Sequence, residues 1–551
     1  MPNVRLALAQ TNPTVGAIQA NLTDILAQVT IAQQGGADIV VFGEMALTGY
    51  PIEDLASRES FILEAELAVK SLAFKISELG YNELAVVIGH PAMAGAQDQT
   101  GWAIAKNCAS VIQQGKIVGT YAKHHLPNYS VFDEYRNFVP GNDLLTFEHK
   151  GLRFSTVICE DIWQQGGPVA KLADAKTDVA LILNGSPFEI DKDDKRLSLV
   201  KDLVKRQICA AAYVNLVGGQ DDLVFDGDSI VLDSKGRLVA RAKQFKMDLV
   251  FIDIVAKDEL VVVGDHHLTK PNDNWQAWNA LVLGLRDYIQ KNGFKSVVLG
   301  LSGGIDSAVC ATIAADAIGA ENVFGISMPS RYSSTGSKDD AEDLASRRGI
   351  NYRVQAIEDL VIPFESELSL TGLPAENLQA RVRGVILMAL SNKEGHLTIT
   401  TGNKSELAVG YSTIYGDSVG GYAPLKDVEK SLVWELARWR NAYAQSRNEI
   451  EPIPVSSIEK PPSAELRPDQ VDQDSLPPYD VLDAILESYI NQRKSRAEII
   501  SFGFDPVMVE KVLTLVDRAE WKRRQGAIGP KITGMAFGRD RRLPITNKYR
   551  G

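Results

Sequence analysis

The stretch VVLGLSGGIDSAV, residues 297 to 309, decides how the second half of the chain is read. An apolar run, Val297 to Leu301, feeds directly into two glycines flanked by hydroxyls and an acid, and DSAVCATIAADAIG continues in a helical pattern. Strand, tight loop and helix N-terminus in that order make an anion site, because the first N–H groups of a helix have no partners within it. The phosphate loop GxxxxGK[ST] would bring a lysine to the outer phosphates of a nucleotide. No lysine stands here. The loop is therefore expected to hold its anion with backbone donors and the hydroxyls of Ser302 and Ser307, with a metal near Asp306 as a further candidate. The alternative is an ordinary glycine-rich turn.

The same alternation surrounds the loop. KSVVLGL, NVFGISMP, NYRVQAI and HLTIT are short apolar runs separated by helical stretches, among them ENLQARVRGVILMALSN. Strands joined by helices of that length call for a parallel, doubly wound sheet. Upstream, from residue 4 to about 262, VRLALAQ, DIVVFGE, LAVVIGH, RFSTVICED, DVALILNGSP, YVNLVGG, DSIVLD and DLVFIDI predict a separate layered α/β domain. The polar, aperiodic GDHHLTKPNDN breaks the pattern, so the expected division is 1–262, a linker at 263–274, and 275–551. Residues 451 to 480, rich in proline and acid, read as a long irregular segment of the functional or mobile kind.

A chain of 551 residues exceeds what one core serves, and 45% hydrophobic residues suffice for two. The net charge of −12 argues against broad nucleic-acid binding and favours small-molecule chemistry. Cys108, Cys159, Cys209 and Cys310 lie far apart and form no CxxC pair, which speaks against zinc sites and a disulfide framework. MPNVRLALAQ lacks the character of a signal peptide, and no run of 18 apolar residues occurs. A soluble, cytoplasmic protein is expected.

Three polar residues stand at the ends of apolar runs in the first half: Glu44 after DIVVFG, Lys123 in TYAKHHLPN, and Cys159 after RFSTVI. A carboxylate can take the thiol proton, an ammonium can stabilise an oxyanion, and the thiol can form an acyl intermediate. That set suits hydrolysis of a carboxamide or nitrile. Two other readings stay open at this point: an inert core cysteine, or a histidine base supplied by His124 or His125. GEMALTGYP, YAKHHLPN with FDEYRNF, and ICEDIW followed by NGSPFEIDKDDKR resemble the nitrilase superfamily, in particular the glutaminase domain of glutamine-dependent NAD synthetases. The resemblance implies a four-layer αββα sandwich, with Glu44 as general base, Lys123 as oxyanion stabiliser, Cys159 as nucleophile and Glu134 as a supporting acid. It further implies that Tyr129, Ser186 and Lys192 hold glutamine.

SGGIDS resembles the pyrophosphatase-type loop of the adenine nucleotide alpha hydrolase superfamily, in which the departing pyrophosphate is gripped and attack falls on the α-phosphorus. A second cluster, TTGNKSELAVGYSTIYGDSVGGYAPLKDVEK at 400–430, follows the strand HLTIT, placing Thr401 and Glu406 near the same crevice. Asp306 and Glu406 are oxygen ligands suited to Mg²⁺ bridging phosphate oxygens, although solvated surface acids would look the same in sequence. With MPSRYSSTGSKDDAEDLA, ENLQARVRG, KPPSAELRPDQ and KITGMAFGRDRRLPI, these segments resemble the NAD synthetase domain over nearly all of 275–548. That resemblance implies that ATP adenylates the carboxylate of deamido-NAD and that ammonia displaces AMP. It assigns Gly300, Leu301, Ser302, Gly303, Gly304, Ile305, Asp306, Ser307 and Thr401 to ATP, and Asn377, Glu406 and Lys531 to deamido-NAD. It also implies a homo-oligomer, with synthetase domains dimerised and an octamer as the larger form.

Ammonium has no free lone pair, so joining both reactions in one chain suggests a protected passage for ammonia. Two competing readings remain in the sequence: another AMP-forming ligase with a different carboxylate, and a degenerate nitrilase module on a synthetase that uses free ammonia. Intact Glu44, Lys123 and Cys159 speak against the second.

Overall fold

The computed structural model describes residues 4–95, 102–256, 259–263 and 268–549; of the expected linker, residues 264–267 lie outside this set. The chain divides into two compact units, one of Met1–Gln220 with Val224–Asn272 and the other of Asp221–Leu223 with Asp273–Gly551.

In the first unit a seven-stranded sheet runs in the order 259–263, Asp248–Ala256, Val4–Gln10, Ile39–Phe42, Ala85–Met93, Ala105–Gln113 and Lys116–Ala122. A six-stranded sheet runs Leu238–Arg241, Ile230–Leu232, Ala210–Asn215, Val179–Asn184, Leu152–Ile158 and Leu145–His149. One apolar core joins them, with Leu6, Leu8, Val41 and Val87 from the first sheet and Phe154, Val157, Leu181 and Tyr213 from the second. Helices Glu59–Glu78 and Lys192–Gln207 pack against strands of the first and second sheet respectively, completing the αββα layering. Val179–Asn184 is buried along its whole length, which is why VALILN is apolar without alternation.

The hairpin of Ala105–Gln113 and Lys116–Ala122 is the element least evident in sequence. Its first strand buries a polar residue: Ser110 Oγ lies 2.7 Å from the buried His90 Nε2 and 2.8 Å from Oγ1 of the exposed Thr120. AKNCASVIQQGKIVGTYA therefore lacks the apolar signature of its neighbours, and yet its second strand ends at Lys123.

The second unit is built on a four-stranded, all-parallel sheet ordered Asn351–Val354, Val323–Ser327, Val297–Gly300 and Leu397–Thr398. The chain leaves Val297–Gly300 toward one side of the sheet and later returns on the other. The carboxyl end of that strand is thus the topological switch point, where α/β sheets bind ligands. Helices Tyr479–Leu486 and Pro506–Arg518 form a separate apolar cluster through Leu482, Ile485, Val509, Val512 and Val516. The segment read as irregular holds a short helix, Val455–Glu459, a single turn at Asp472–Asp474, and the start of the helix at Tyr479.

Candidate active sites

In the first unit the three residues singled out in sequence stand at strand ends, as the fold requires: Glu44 follows Ile39–Phe42, Lys123 follows Lys116–Ala122, and Cys159 follows Leu152–Ile158. Lys123 Nζ lies 2.8 Å from a carboxylate oxygen of Glu44 and 2.8 Å from one of Glu134. All three side chains are shut away from solvent. Glu44 also accepts from Asn107 Nδ2 at 2.7 Å and from the Gly185 amide at 2.8 Å, and Glu134 accepts from Tyr50 Oη at 2.9 Å. Gly89 is required beneath this turn, since a Cβ there would meet the Gly43 carbonyl at 2.4 Å.

Electrostatics follow from that sealing. Burial pushes the Cys159 thiol well up, and Glu44 adds to the effect more than Lys123 relieves it, so the resting sulfur is a thiol. Burial raises Glu134 to about 7 against the pull of Lys123. Lys123 is held charged: burial opposes its charge, but Glu134, Glu44 and Cys159 outweigh it. Cys159 has φ of +40°, a left-handed conformation that a β-carbon disfavours and that recurs where a side chain must be aimed. Asp161 braces that turn, accepting from the amides of Ile158, His124 and His125 and from Tyr121 Oη. The histidine alternative has no geometric support, because His124 Nδ1 is engaged by the Gly141 carbonyl at 2.6 Å and neither ring bonds Cys159.

The residues expected to hold glutamine are more dispersed in character. Ser186 is buried, with its amide on Asn215 Oδ1 and its hydroxyl 3.2 Å from Arg196 Nε. Arg196 is itself buried and paired with Asp226 at 2.8 Å. Tyr129 is half exposed and donates to the buried Glu160 at 2.9 Å, and Lys192 faces Glu189 at 3.3 Å. Tyr50, Asp161 and Arg196 lie within stretches recognisable in sequence and Asn107 in the hairpin that is not, and a lone polar residue in either gives no sign that it will be buried against the site.

In the second unit the loop after Val297–Gly300 closes on itself. Ser302 Oγ and Ser307 Oγ lie 3.1 Å apart, Ser302 Oγ accepts from the Gly304 amide at 3.2 Å, and Ser307 Oγ donates to the Gly304 carbonyl at 2.9 Å. Gly303 has φ of +79°, and a Cβ there would strike the Ser337 carbonyl at 2.1 Å, so no other residue fits this turn. Helix Ile305–Ile318 begins directly afterwards. A cavity of about 280 Å³ opens above it, lined by Gly300, Leu301, Ser302, Gly304, Ile305, Asp306, Thr401 and Glu406. Met328, Arg383, Leu387, Lys430 and the segment 460–466 complete its wall. A second cavity of about 120 Å³ shares Ser302, Asp306, Thr401 and Glu406 and adds Ser307 and Lys426.

Asp306 and Glu406 converge as expected, but around a lysine that sequence reading passed over. Lys430 Nζ bonds Asp306 and lies 3.3 Å from Glu406, and Asn403 Nδ2 donates to Asp306 at 3.0 Å. Burial raises Glu406 to about 8, and Asp306 reinforces this against the pull of Lys430. Two of the expected dinucleotide ligands stand off the larger cavity. Asn377 Oδ1 accepts from Thr413 Oγ1 at 2.8 Å, while Lys531 is buried beside Thr533 and 3.7 Å from Asp540.

A hydrolase unit built on a cysteine, a lysine and two glutamates, in one chain with a nucleotide unit whose loop lacks a lysine, defines an amidotransferase-type ligase. Residues 5–259 match the carbon-nitrogen hydrolase family and residues 277–526 the NAD synthase family. The chain is 44% identical to the glutamine-dependent NAD(+) synthetase of Acinetobacter baylyi over all of its own length and 99% of that protein. Against the Thermotoga maritima protein of the same name it is 40% identical, with full coverage of both. The solved glutamine-dependent NAD+ synthetase of Acinetobacter baumannii, in complex with ADP, superposes with a TM-score of 0.77 at 42% identity, covering 99% of each chain. The chain belongs to the family of glutamine-dependent NAD(+) synthetases, ligases that amidate deamido-NAD with glutamine nitrogen and ATP.

Proposed function

We propose that the two sites divide the reaction as follows. Glu44 takes the Cys159 thiol proton as sulfur attacks the carboxamide carbon of glutamine and Lys123 holds the oxyanion; Glu44 then returns the proton to the departing nitrogen, so that the C–N bond breaks with release of ammonia and leaves a thioester that water hydrolyses to glutamate and free thiol. Glu134, in contact with Lys123 rather than with the thiol, positions the ammonium. Tyr129, Ser186 and Lys192 hold glutamine. In the second unit a carboxylate oxygen of deamido-NAD attacks the α-phosphorus of ATP, and pyrophosphate leaves into the grip of the 302–307 loop. Ammonia then forms the C–N bond as the acyl C–O bond to AMP breaks. Asn377, Glu406 and Lys531 are assigned to deamido-NAD, and 1–262 and 275–551 to the two activities.

The observation that carries this reading is the pair of sealed and open charge clusters, each with its nucleophile or anion loop at a strand end. Asp306 and Glu406 suit a Mg²⁺ ion: their oxygens stand together on the wall of the cavity, and an arriving cation would take the place of the proton that burial keeps on Glu406. When bound, such an ion neutralises phosphate oxygens and makes pyrophosphate a better leaving group.

Further properties belong to the same proposal. Helices Glu358–Leu368 and Leu373–Glu394 leave Phe364, Leu368, Leu373 and Val385 more than half exposed, which favours a homo-oligomer joined through the synthetase units; light scattering of Val385→Glu would report a smaller particle. Among the described residues no helix is long and apolar enough to cross a membrane, in keeping with a cytoplasmic site of action.

The deciding test supplies purified protein with ATP, Mg²⁺ and deamido-NAD, and either glutamine or ammonium. NAD and AMP in both arms are expected. Product in the ammonium arm alone would refute the glutaminase assignment, and absence of AMP from both would refute the adenylation step.

A further inference from the structure

Arg196 takes no part in the proton transfers of the first unit, yet its donors are directed at one aspartate and one short stretch of chain. Nη1 donates to both carboxylate oxygens of Asp226 at 2.8 Å. Nη2 donates to the carbonyls of Ser186 and Pro187, each at 2.9 Å, and Nε to Ser186 Oγ at 3.2 Å. The five N–H groups of the guanidinium are thereby all matched. Both members of the ion pair are sealed from solvent. Burial works against the charge of Arg196, and Asp226 with the neighbouring acids outweighs it, so the guanidinium stays protonated. A buried ion pair is poor evidence of stability, since well-packed apolar residues of the same volume serve a core as well or better. Apolar residues cannot, however, orient a hydroxyl and two carbonyls at once.

The turn that Arg196 grips follows the strand Val179–Asn184 and is held from two sides. On one side the Gly185 amide donates to Glu44 at 2.8 Å, and Asn215 takes the Ser186 amide at 2.9 Å and donates to the Ser186 carbonyl at 3.1 Å. On the other side Arg196 holds the Ser186 hydroxyl and reaches on to the Pro187 carbonyl. A guanidinium has no acceptor, so Ser186 Oγ can only accept from it, and the hydroxyl hydrogen points elsewhere. Ser186 is thus presented as a donor. Lys192 opens helix Lys192–Gln207 four residues before Arg196, and residues at that spacing share a helix face. The guanidinium therefore ties the helix that begins at Lys192 to the turn that carries Ser186.

We propose that Arg196, clamped on Asp226, is a positioning residue of the glutaminase site that aims the Ser186 hydroxyl at an oxygen of bound glutamine. This rests on the assignment of Ser186 to glutamine. The general base keeps its own bond to the turn through Gly185, so Arg196 governs the affinity for glutamine rather than the rate of thiol attack. Lysine is no substitute here: its ammonium is a point charge that cannot reproduce the planar fork toward Asp226, Ser186 and Pro187.

The test uses the full chain and the variants Arg196→Lys, Ser186→Ala and the double variant, with the glutamine KM and kcat of glutamine-driven NAD formation as readouts. Ammonium-driven NAD formation by the same preparations and their thermal melting report whether the chain is folded. Arg196→Lys is expected to raise the glutamine KM about tenfold with kcat little changed, since a misplaced contact group weakens the bound state. If Arg196 acts through Ser186, the double variant should have the KM of Ser186→Ala alone, the non-additivity expected of residues that work as one unit. Additive effects on KM would overturn the inference in favour of a general loosening of the unit, and so would a lower melting temperature with an unchanged glutamine KM. Should Arg196→Lys not fold, Asp226→Asn, which keeps the shape of the clamp and removes its charge, is read in the same way: a raised KM with kcat retained supports the inference, and an unchanged KM overturns it. If Ser186→Ala raises the glutamine KM and Arg196→Lys does not, the Arg196 inference alone fails. If Ser186→Ala leaves the KM unchanged, the assignment of Ser186 to glutamine fails and the inference falls with it.

Discussion

Each unit places one buried lysine between two carboxylates, and the two clusters do different work. Lys123, Glu44 and Glu134 are 1%, 0% and 3% exposed, whereas Lys430 is 2% exposed and Asp306 and Glu406 are each 18% exposed. Both clusters carry two acids against one cation. In the sealed cluster burial raises both the Cys159 thiol and Glu134, the latter to about 7, so both hold their protons more tightly than in water. In the open cluster Asp306 and Glu406 face a cavity, and burial raises Glu406 to about 8. The same three kinds of group are thus shut away in one unit and turned to a cavity in the other.

The strongest way to break this comparison is to remove the thiol. Cys159→Ala should reduce glutamine-driven NAD formation to background and leave ammonium-driven formation largely intact, measured as NAD in paired assays. Equal loss in both arms by a folded variant would mean that the first cluster is not a separate hydrolytic site.

Removing the lysines tests closure itself. Lys123→Ala deprives the oxyanion of its partner, a loss of about 3 kcal/mol in the barrier or about a hundredfold in the glutamine arm. It also leaves two carboxylates buried without a cation, for which about 3–5 kcal/mol of destabilisation is expected. Lys430→Ala should destabilise its unit less, because water reaches Asp306 and Glu406. Calorimetry of the two variants measures the difference, and equal destabilisation would contradict the contrast.

A smaller effect concerns pH. The Glu134 carboxyl is raised from an ordinary 4.5 to about 7, and Glu406 from 4.5 to about 8. A carboxyl raised in the folded state binds its proton more tightly there than when unfolded. Its stabilising contribution is therefore complete below about 4.5 and is lost as pH rises through the folded value. One such group changes stability by at most about 1.4 kcal/mol per pH unit. Glu134→Gln should flatten the loss of stability of the first unit between pH 4.5 and 7, and Glu406→Gln that of the second between 4.5 and 8. Unaltered slopes would show that neither group holds its proton.

How far the molecule could be read from its sequence follows the same physics. Glu44, Lys123 and Cys159 are legible because each is a polar residue at the end of a strand, and SGGIDS because glycine, hydroxyl and acid follow one directly. Lys430 and Arg383 were not, since a single cation on a helix has the same signature whether it faces water or a cavity. The 105–122 hairpin was missed because Ser110 and His90 satisfy one another where the pattern calls for apolar residues, and because most of its second strand is exposed. Segment 460–466 looked irregular in sequence, and only the fold reveals that it walls the nucleotide cavity.

The finest probe sits at the margin of the sealed cluster. Tyr129 is 53% exposed, yet its hydroxyl donates to Glu160, which is buried next to Cys159 and also accepts from Gln164 Nε2 at 2.9 Å. Tyr129→Phe removes one hydrogen bond to an acceptor that keeps another, and the ring remains in contact with Phe132. Loss of about 1 kcal/mol is expected, read as a roughly fivefold rise in the glutamine KM with the ammonium arm unchanged. A change in kcat without a change in KM would instead place Glu160 in support of the nucleophile's turn, and the sealed cluster would then extend one residue further than its lysine and two acids.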